Sequence, residues 1–348
     1  MPALKAGMFP RVGFMASREA ATRLTRDSFI FATSFLGGTL NPVMVRIRPC
    51  LPRRHALCCS IMTGRRKITI RTLRARKREG QKISMLTCYD YSTARLMEEA
   101  QIDSLLVGDT YAEVCLGHAT TLPATVDHMV TITAAVRRGA PSVYLIGDMP
   151  YLTYQVSREE AIRNAGRYMV DAGCDCVKVE VDRRLVKTVE AMAAATIPVM
   201  AHLGLKPQSI QLLGGYEVQG KQAAQALQII EDAKMMEAAG AIALLLEAVP
   251  MEVARAITRA TELPVIGIVS GPDCDGQVAV MHDMLGYGAG HPPPSIKQYA
   301  RLHDVMVEAF RAYGSEVASG AFPTRAHGVA MDAAQLSELE RVLGRALP

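Results

Sequence analysis

The chain has 348 residues, 49% apolar and 5% aromatic, with no Trp and a formal net charge of +5. That is enough apolar material for one large domain plus extras. Residues 1–61 hold nine Lys/Arg against Glu19 and Asp27, a local +7. The remainder is therefore near −2, so neither a basic nucleic-acid surface nor a membrane partner is expected of the main body.

Residues 1–61 read as an extension to the fold. Stretch 16–26 is Arg-rich with Ser and Thr, the composition of an organelle transit peptide. The apolar run Phe29–Val45 is broken by Asn41, Pro42 and two glycines, and is short for a membrane span. The plainer reading is preferred: a disordered or mis-annotated extension, with Met62 as the true start. A cytoplasmic location follows, or the mitochondrial matrix if the extension is a transit peptide. The eight Cys (50, 58, 59, 88, 115, 174, 176 and 274) show neither C-x-x-C nor zinc spacing. Cys174 and Cys176, two apart at the start of a strand, are expected as buried thiols on one side, in a reducing compartment.

From residue 62 the pattern alternates. Lys67–Glu79 is a basic helix, expected as a solvated charge run over one end of the fold. Ile83–Cys88 is the first strand, and Thr93–Ala100 a helix. Ser104–Val107 is a second strand, stopping at Gly108-Asp109-Thr110. A loop, 117–123, and the helix Val126–Arg138 come next. Val143–Ile146 ends in Gly147-Asp148. The helix Ser157–Ala172 starts with Ser157 and Glu160 at capping-box spacing. Cys176–Glu180 and Ile197–Gly204 are strands flanking a helix through Ala195. A long glycine-bearing loop, 206–221, leads to the helix Ala223–Ala239. Ala243–Glu247 is the sixth strand, Glu252–Thr261 a helix, Pro264–Gly271 the seventh strand, and Val278–Leu285 a short eighth. Helices are expected over Ser295–Tyr313 and, amphipathic, over Asp332–Leu347, where packing and subunit contact are equal explanations.

Eight strands alternating with helices predict a (β/α)₈ TIM-type barrel over 62–323, with a tail over 324–348. A doubly wound sheet is the runner-up, but no strand is followed by G-x-G-x-x-G. Four largely apolar strands, of the kind buried on both faces, end in an acid: Asp109, Asp148, Glu180 and Glu247, with only Lys178 breaking the apolar run before Glu180. One such Asp could be a helix N-cap; four on one rim repel unless a cation sits among them. Hard oxygen ligands suit Mg²⁺. Lys178 shares a strand face with Glu180. His202 reads equally as a satisfied core histidine or as a substrate or orienting contact; His118 reads as structural.

These blocks resemble a known family. Leu86-Thr-Cys-Tyr-Asp-Tyr-Ser92, Leu106-Val-Gly-Asp-Thr110, Thr121-Leu-Pro123, 134–141, Gly147-Asp-Met-Pro150, Val177-Lys-Val-Glu180, His202-Leu-Gly-Leu-Lys-Pro-Gln-Ser209, Gly214-Gly-Tyr216, Leu246-Glu-Ala-Val-Pro250, Asp275-Gly-Gln277 and Met281-His-Asp283 are similar to ketopantoate hydroxymethyltransferase, over about residues 66–323. The resemblance implies transfer of a one-carbon unit from 5,10-methylenetetrahydrofolate to 3-methyl-2-oxobutanoate, giving 2-dehydropantoate for pantothenate and coenzyme A synthesis. It implies Mg²⁺ on Asp109 and Asp148 with Glu180 beside it, substrate contacts from Asp109, Thr110, Asp148 and Lys178, Glu247 as general base, and a homo-oligomer.

The chemistry suits these residue types. A 2-oxo acid chelates Mg²⁺ through its keto and carboxylate oxygens, which stabilises the enolate formed when a carboxylate takes the C3 proton. The chain departs from the family pattern at Val181-Asp182 (usually Gly-Gly), at Ala119 (usually an acid), at Thr110 (usually Ser) and at Pro293-Pro294-Ser295. The competing readings are a Mg²⁺-dependent carbon–carbon lyase of the isocitrate lyase and phosphoenolpyruvate mutase type, whose Lys-Cys-Gly-His-type loop is not found, and a non-catalytic barrel.

Overall fold

The structure, a computed structural model, describes residues 65–288 and 295–347, and the backbone course of 29–36 and 39–46. Stretch 16–26, Cys50, Cys58, Cys59, Met62 and Pro293-Pro294 lie outside the described residues. The chain divides into two compact units, Met1–Met62 and Thr63–Pro348. In the first, β1 (Phe29–Leu36) and β2 (Thr39–Arg46) pair antiparallel, Phe29 opposite Arg46.

The second unit is a closed, eight-stranded parallel barrel: β3 (Ile83–Thr87), β4 (Ser104–Val107), β5 (Tyr144–Asp148), β6 (Cys176–Glu180), β7 (Val199–Gly204), β8 (Ala243–Glu247), β9 (Val265–Ile268) and β10 (Gly276–Ala279). Closure of β10 onto β3 excludes the open, doubly wound sheet. Each apolar run is buried on both faces because one face meets the lumen and the other the helices. Leu105, Val107, Leu145, Val177, Val179, Leu244 and Leu246 pack outward with the helical shell. Ile83, Met85, Leu106, Tyr144, Ile146, Cys176, Met200, Ala243, Leu245, Ile266 and Val278 fill the lumen. Burial of each such side chain contributes roughly 1.5–3 kcal/mol.

Three expectations change. The apolar run Val278–Leu285 straddles two elements: the eighth strand is Gly276–Ala279, and Met281–Leu285 is a helix whose first N–H donates to Thr87 Oγ1. The helix expected from Ser295 starts at Leu302 and continues to Ser319. Cys174 and Cys176 are buried thiols as expected but not on one side: Cys176 begins β6 and faces the lumen, whereas Cys174 precedes the strand and packs in the outer shell.

The basic segment is also more than a solvated charge run. Ile68 and Leu73, from the helix Ile70–Arg78 and its lead-in, are buried and join the lumen cluster. Lys67 reaches Asp175, Arg76 reaches Asp103 and Lys77 reaches Asp275, at 2.5, 2.5 and 2.8 Å. Each of these acids immediately precedes a strand, and each also accepts the backbone N–H of a neighbouring strand: Leu145, Ser84 and Val265 respectively. The lower end of the barrel is thus sealed by an apolar plug fastened with part-buried ion pairs. Among the described residues no helix is long and apolar enough to cross a membrane.

Candidate active site

Side chains alternate along a strand with period two. The position two residues above a lumen-filling residue is therefore also inward, and at the upper ends of β5, β6, β7 and β8 it is polar. Asp148 follows Ile146, Lys178 and Glu180 follow Cys176, His202 follows Met200, and Glu247 follows Leu245. The strand register sets Asp148 beside Lys178, Glu180 beside His202, and Glu247 beside Gly204. Asp109 joins them from just beyond β4. All line one cavity of about 340 Å³, with Thr110, Glu113, Tyr216 and Asp283 and an apolar wall that includes Leu106, Ile268, Val278 and Val280.

The expected residues therefore converge, and the contacts define them. Lys178 Nζ lies 2.7 Å from both carboxylate oxygens of Asp148. Asp148 Oδ2 also accepts the Asp109 N–H at 3.0 Å, and Tyr168 donates to the Asp148 carbonyl at 2.7 Å. Gly147 makes that approach possible, since a Cβ there would stand 2.3 Å from the Tyr168 ring. Burial raises the Asp148 carboxyl to about 7 against the opposing pull of Lys178. Burial also raises Glu180, well above the usual carboxylate range. Burial would lower Lys178, but Asp148, Asp109 and Glu180 overcome it and keep the ammonium charged.

His202 is not a satisfied core histidine. Its ring sits between two acids, Nδ1 3.7 Å from Glu180 and Nε2 3.2 Å from Glu247, and neither nitrogen is aligned for a hydrogen bond. Burial lowers its pKa, so the ring is neutral near pH 7. His118 is exposed and lines no part of the cavity. Three contributors were given no role by the sequence, although Tyr89 and Gln208 lie inside two of the quoted blocks. Tyr89, buried, shares a 2.6 Å hydrogen bond with the Thr110 hydroxyl. Tyr154 accepts the Glu180 N–H at 2.9 Å. Gln208 donates to Asp109 at 2.8 Å. All three fall within or beside apolar or glycine-bearing segments where a neutral polar residue breaks no periodicity.

The donor set suits a divalent cation. Asp109, Asp148, Glu180 and Glu247 are four carboxyl groups facing one ammonium, a hard-oxygen set whose buried members a bound cation would keep ionised. Glu180 Oε1 is buried and has no hydrogen-bond partner. Both facts fit a hard cation. The cage is not preassembled: among the described residues no three Asp, Glu, His or Cys side chains form a ready metal cluster, and Lys178 occupies both oxygens of Asp148.

Comparison with known proteins decides the family. The sequence profile of ketopantoate hydroxymethyltransferase matches residues 67–325. The chain belongs to this family. Curated relatives named 3-methyl-2-oxobutanoate hydroxymethyltransferase include one from Geotalea uraniireducens, 47% identical over 74% of this chain and 97% of that protein. Another, from Geobacillus thermodenitrificans, is 48% identical over 73% of this chain and 91% of its own. The chain is thus a transferase enzyme. Among solved structures, phosphonopyruvate hydrolase superposes with a TM-score of 0.51 at 12% identity, covering 80% of this chain and 95% of that one. Its complex with oxalate and Mg²⁺ superposes equally, at 13% identity. At that identity the likeness shows the barrel fold alone.

Proposed function

We propose that the enzyme transfers a hydroxymethyl group from 5,10-methylenetetrahydrofolate to 3-methyl-2-oxobutanoate, forming 2-dehydropantoate in pantothenate and coenzyme A biosynthesis. The observation that carries this reading is one cavity lined by Glu247, Lys178, Thr110 and three further acids, in a chain of this family. Asp109 and Asp148, with Glu180 beside them, would hold Mg²⁺. Bound there, the ion supplies Lewis-acid polarisation of a 2-oxo acid's carbonyl.

The remaining work falls to side chains. Lys178, held charged by its acidic neighbours, compensates charge on the substrate. The Thr110 hydroxyl, fixed by Tyr89, donates to the substrate carboxylate. Glu247, set over Leu245 at the top of β8, takes the proton from C3, with the His202 ring 3.2 Å away. The electron pair left on C3 forms the new carbon–carbon bond to the donor's methylene carbon; both carbon–nitrogen bonds of that carbon break, water supplies the hydroxyl group, and the C3 proton and water's other proton leave on the two nitrogens of tetrahydrofolate. We further expect a cytoplasmic homo-oligomer. The helix Leu302–Ser319, which has no buried residue and exposes Phe310 and Tyr313, supports the second point.

The test is C3 proton exchange of 3-methyl-2-oxobutanoate in deuterated water with Mg²⁺, followed by NMR, alongside product formation with and without the folate donor. Glu247→Gln should slow both by about 10²–10⁴-fold, the usual contribution of a general base. Exchange without folate-dependent product would point to a different 2-oxo acid enzyme, and absence of exchange to a binding protein.

A further inference from the structure

We infer that Gln208 is a positioning residue that shapes the cation site, a role that rests on the Mg²⁺ reading above. Gln208 is 4% exposed and lies in the turn Pro207–Ser209 that follows β7. It binds both flanking acids at once. Its backbone N–H donates to Glu180 Oε2 at 3.0 Å, and its side-chain amide donates to Asp109 Oδ2 at 2.8 Å. The second amide proton goes to the Met149 carbonyl at 2.9 Å, and Oε1 accepts from Tyr154 OH at 2.7 Å.

This set of partners admits one amide orientation. Reversed, the carbonyl oxygen would face the Asp109 carboxylate and the Met149 carbonyl, and the NH₂ would displace the Tyr154 donor. Tyr154 closes the circuit, because its hydroxyl also accepts the Glu180 N–H at 2.9 Å. Gln208 therefore occupies one oxygen of Glu180 and one of Asp109 with fixed donors. The other oxygen of Glu180, Oε1, is left buried and without a hydrogen-bond partner. Its nearest cationic or ring nitrogens, His202 Nδ1 at 3.7 Å and Lys178 Nζ at 3.9 Å, stand beyond hydrogen-bond reach; a buried carboxylate oxygen is otherwise satisfied, so this arrangement leaves it open to a ligand. Such outer hydrogen bonds orient metal-binding carboxylates, and their loss typically weakens metal affinity by about 10–100-fold.

The experiment is a titration of the full-length enzyme with Mn²⁺ alone, reading free Mn²⁺ by its EPR signal without substrate. Gln208→Met keeps the volume and the backbone donor but removes the amide. It should weaken Mn²⁺ binding about 10–100-fold, with melting in EDTA used to show a folded protein. Tyr154→Phe, which leaves the Gln208 carbonyl oxygen only the longer 3.3 Å bond from Gln155 Nε2, should shift affinity in the same direction by less, and it serves where Gln208→Met does not fold. Folded variants that bind Mn²⁺ within twofold of the wild type would overturn the inference. If the wild type itself binds no Mn²⁺, the cation reading fails instead.

Discussion

Gly204 holds two sites in one place. It ends β7 with φ +92°, and a Cβ there would meet the Glu247 carbonyl oxygen at 2.3 Å. The next N–H, from Leu205, donates to that same carbonyl at 2.8 Å. Gly204→Ala must therefore move either the turn carrying Gln208 or the strand end carrying Glu247. We expect a loss of at least about 1–3 kcal/mol in urea unfolding, from left-handed backbone strain plus the clash, with kcat lowered as well. Asp182, where the family usually has Gly, makes a second residue-scale prediction. Hydrogen bonds from Arg184 and Lys206 hold its carboxyl well below the usual range, against burial. A depressed folded-state pKa contributes stability above the unfolded value, near 3.9, and loses it as pH falls through the folded one. Asp182→Asn should thus cost about 1 kcal/mol at neutral pH, discounted for its partial exposure and weakened by salt. The gap between variant and wild type should start to narrow below about pH 4 and close only as the pH falls through the lower, folded-state value. The acids of the site were legible because each interrupts an apolar run; Gln208 and Tyr154 were not, because neutral polar residues in turns resemble ordinary loop.

At the scale of elements, strands read well where the apolar run and the strand coincide, as in β5, β6 and β8. They read poorly where the run outlasts the strand. In 278–285 the apolar spacing continues from β10 into a helix, and the change is marked by the hydrogen bond to Thr87 and by backbone bonds from Asp283 and Met284 to the Val280 carbonyl. Acids at the upper ends of strands stand out because each closes a largely apolar run. Asp103, Asp175 and Asp275 stand just before strands, where a carboxylate looks like loop polarity until its cationic partner, far away in sequence, is known. The helix Ile70–Arg78 depends on that arrangement and on Leu73, 1% exposed. Leu73→Ala should destabilise the barrel by about 2–5 kcal/mol in chemical denaturation, while KM for the 2-oxo acid stays close to that of the wild type. A surface helix would lose far less.

For the whole molecule, polarity runs along the barrel axis: apolar below, charged above, with the helix Ile70–Arg78 closing the bottom. That sealed floor makes the cavity a cul-de-sac with its traffic at one end. Whichever molecule rests deepest must enter first and depart last. In the proposed reaction the compact 2-oxo acid lies against Lys178 and Thr110, and the bulkier folate caps it. Steady-state kinetics should therefore show a compulsory sequence, the acid ahead of the folate and tetrahydrofolate released ahead of 2-dehydropantoate. Product-inhibition patterns would reveal random entry instead if a side passage bypassed the folate.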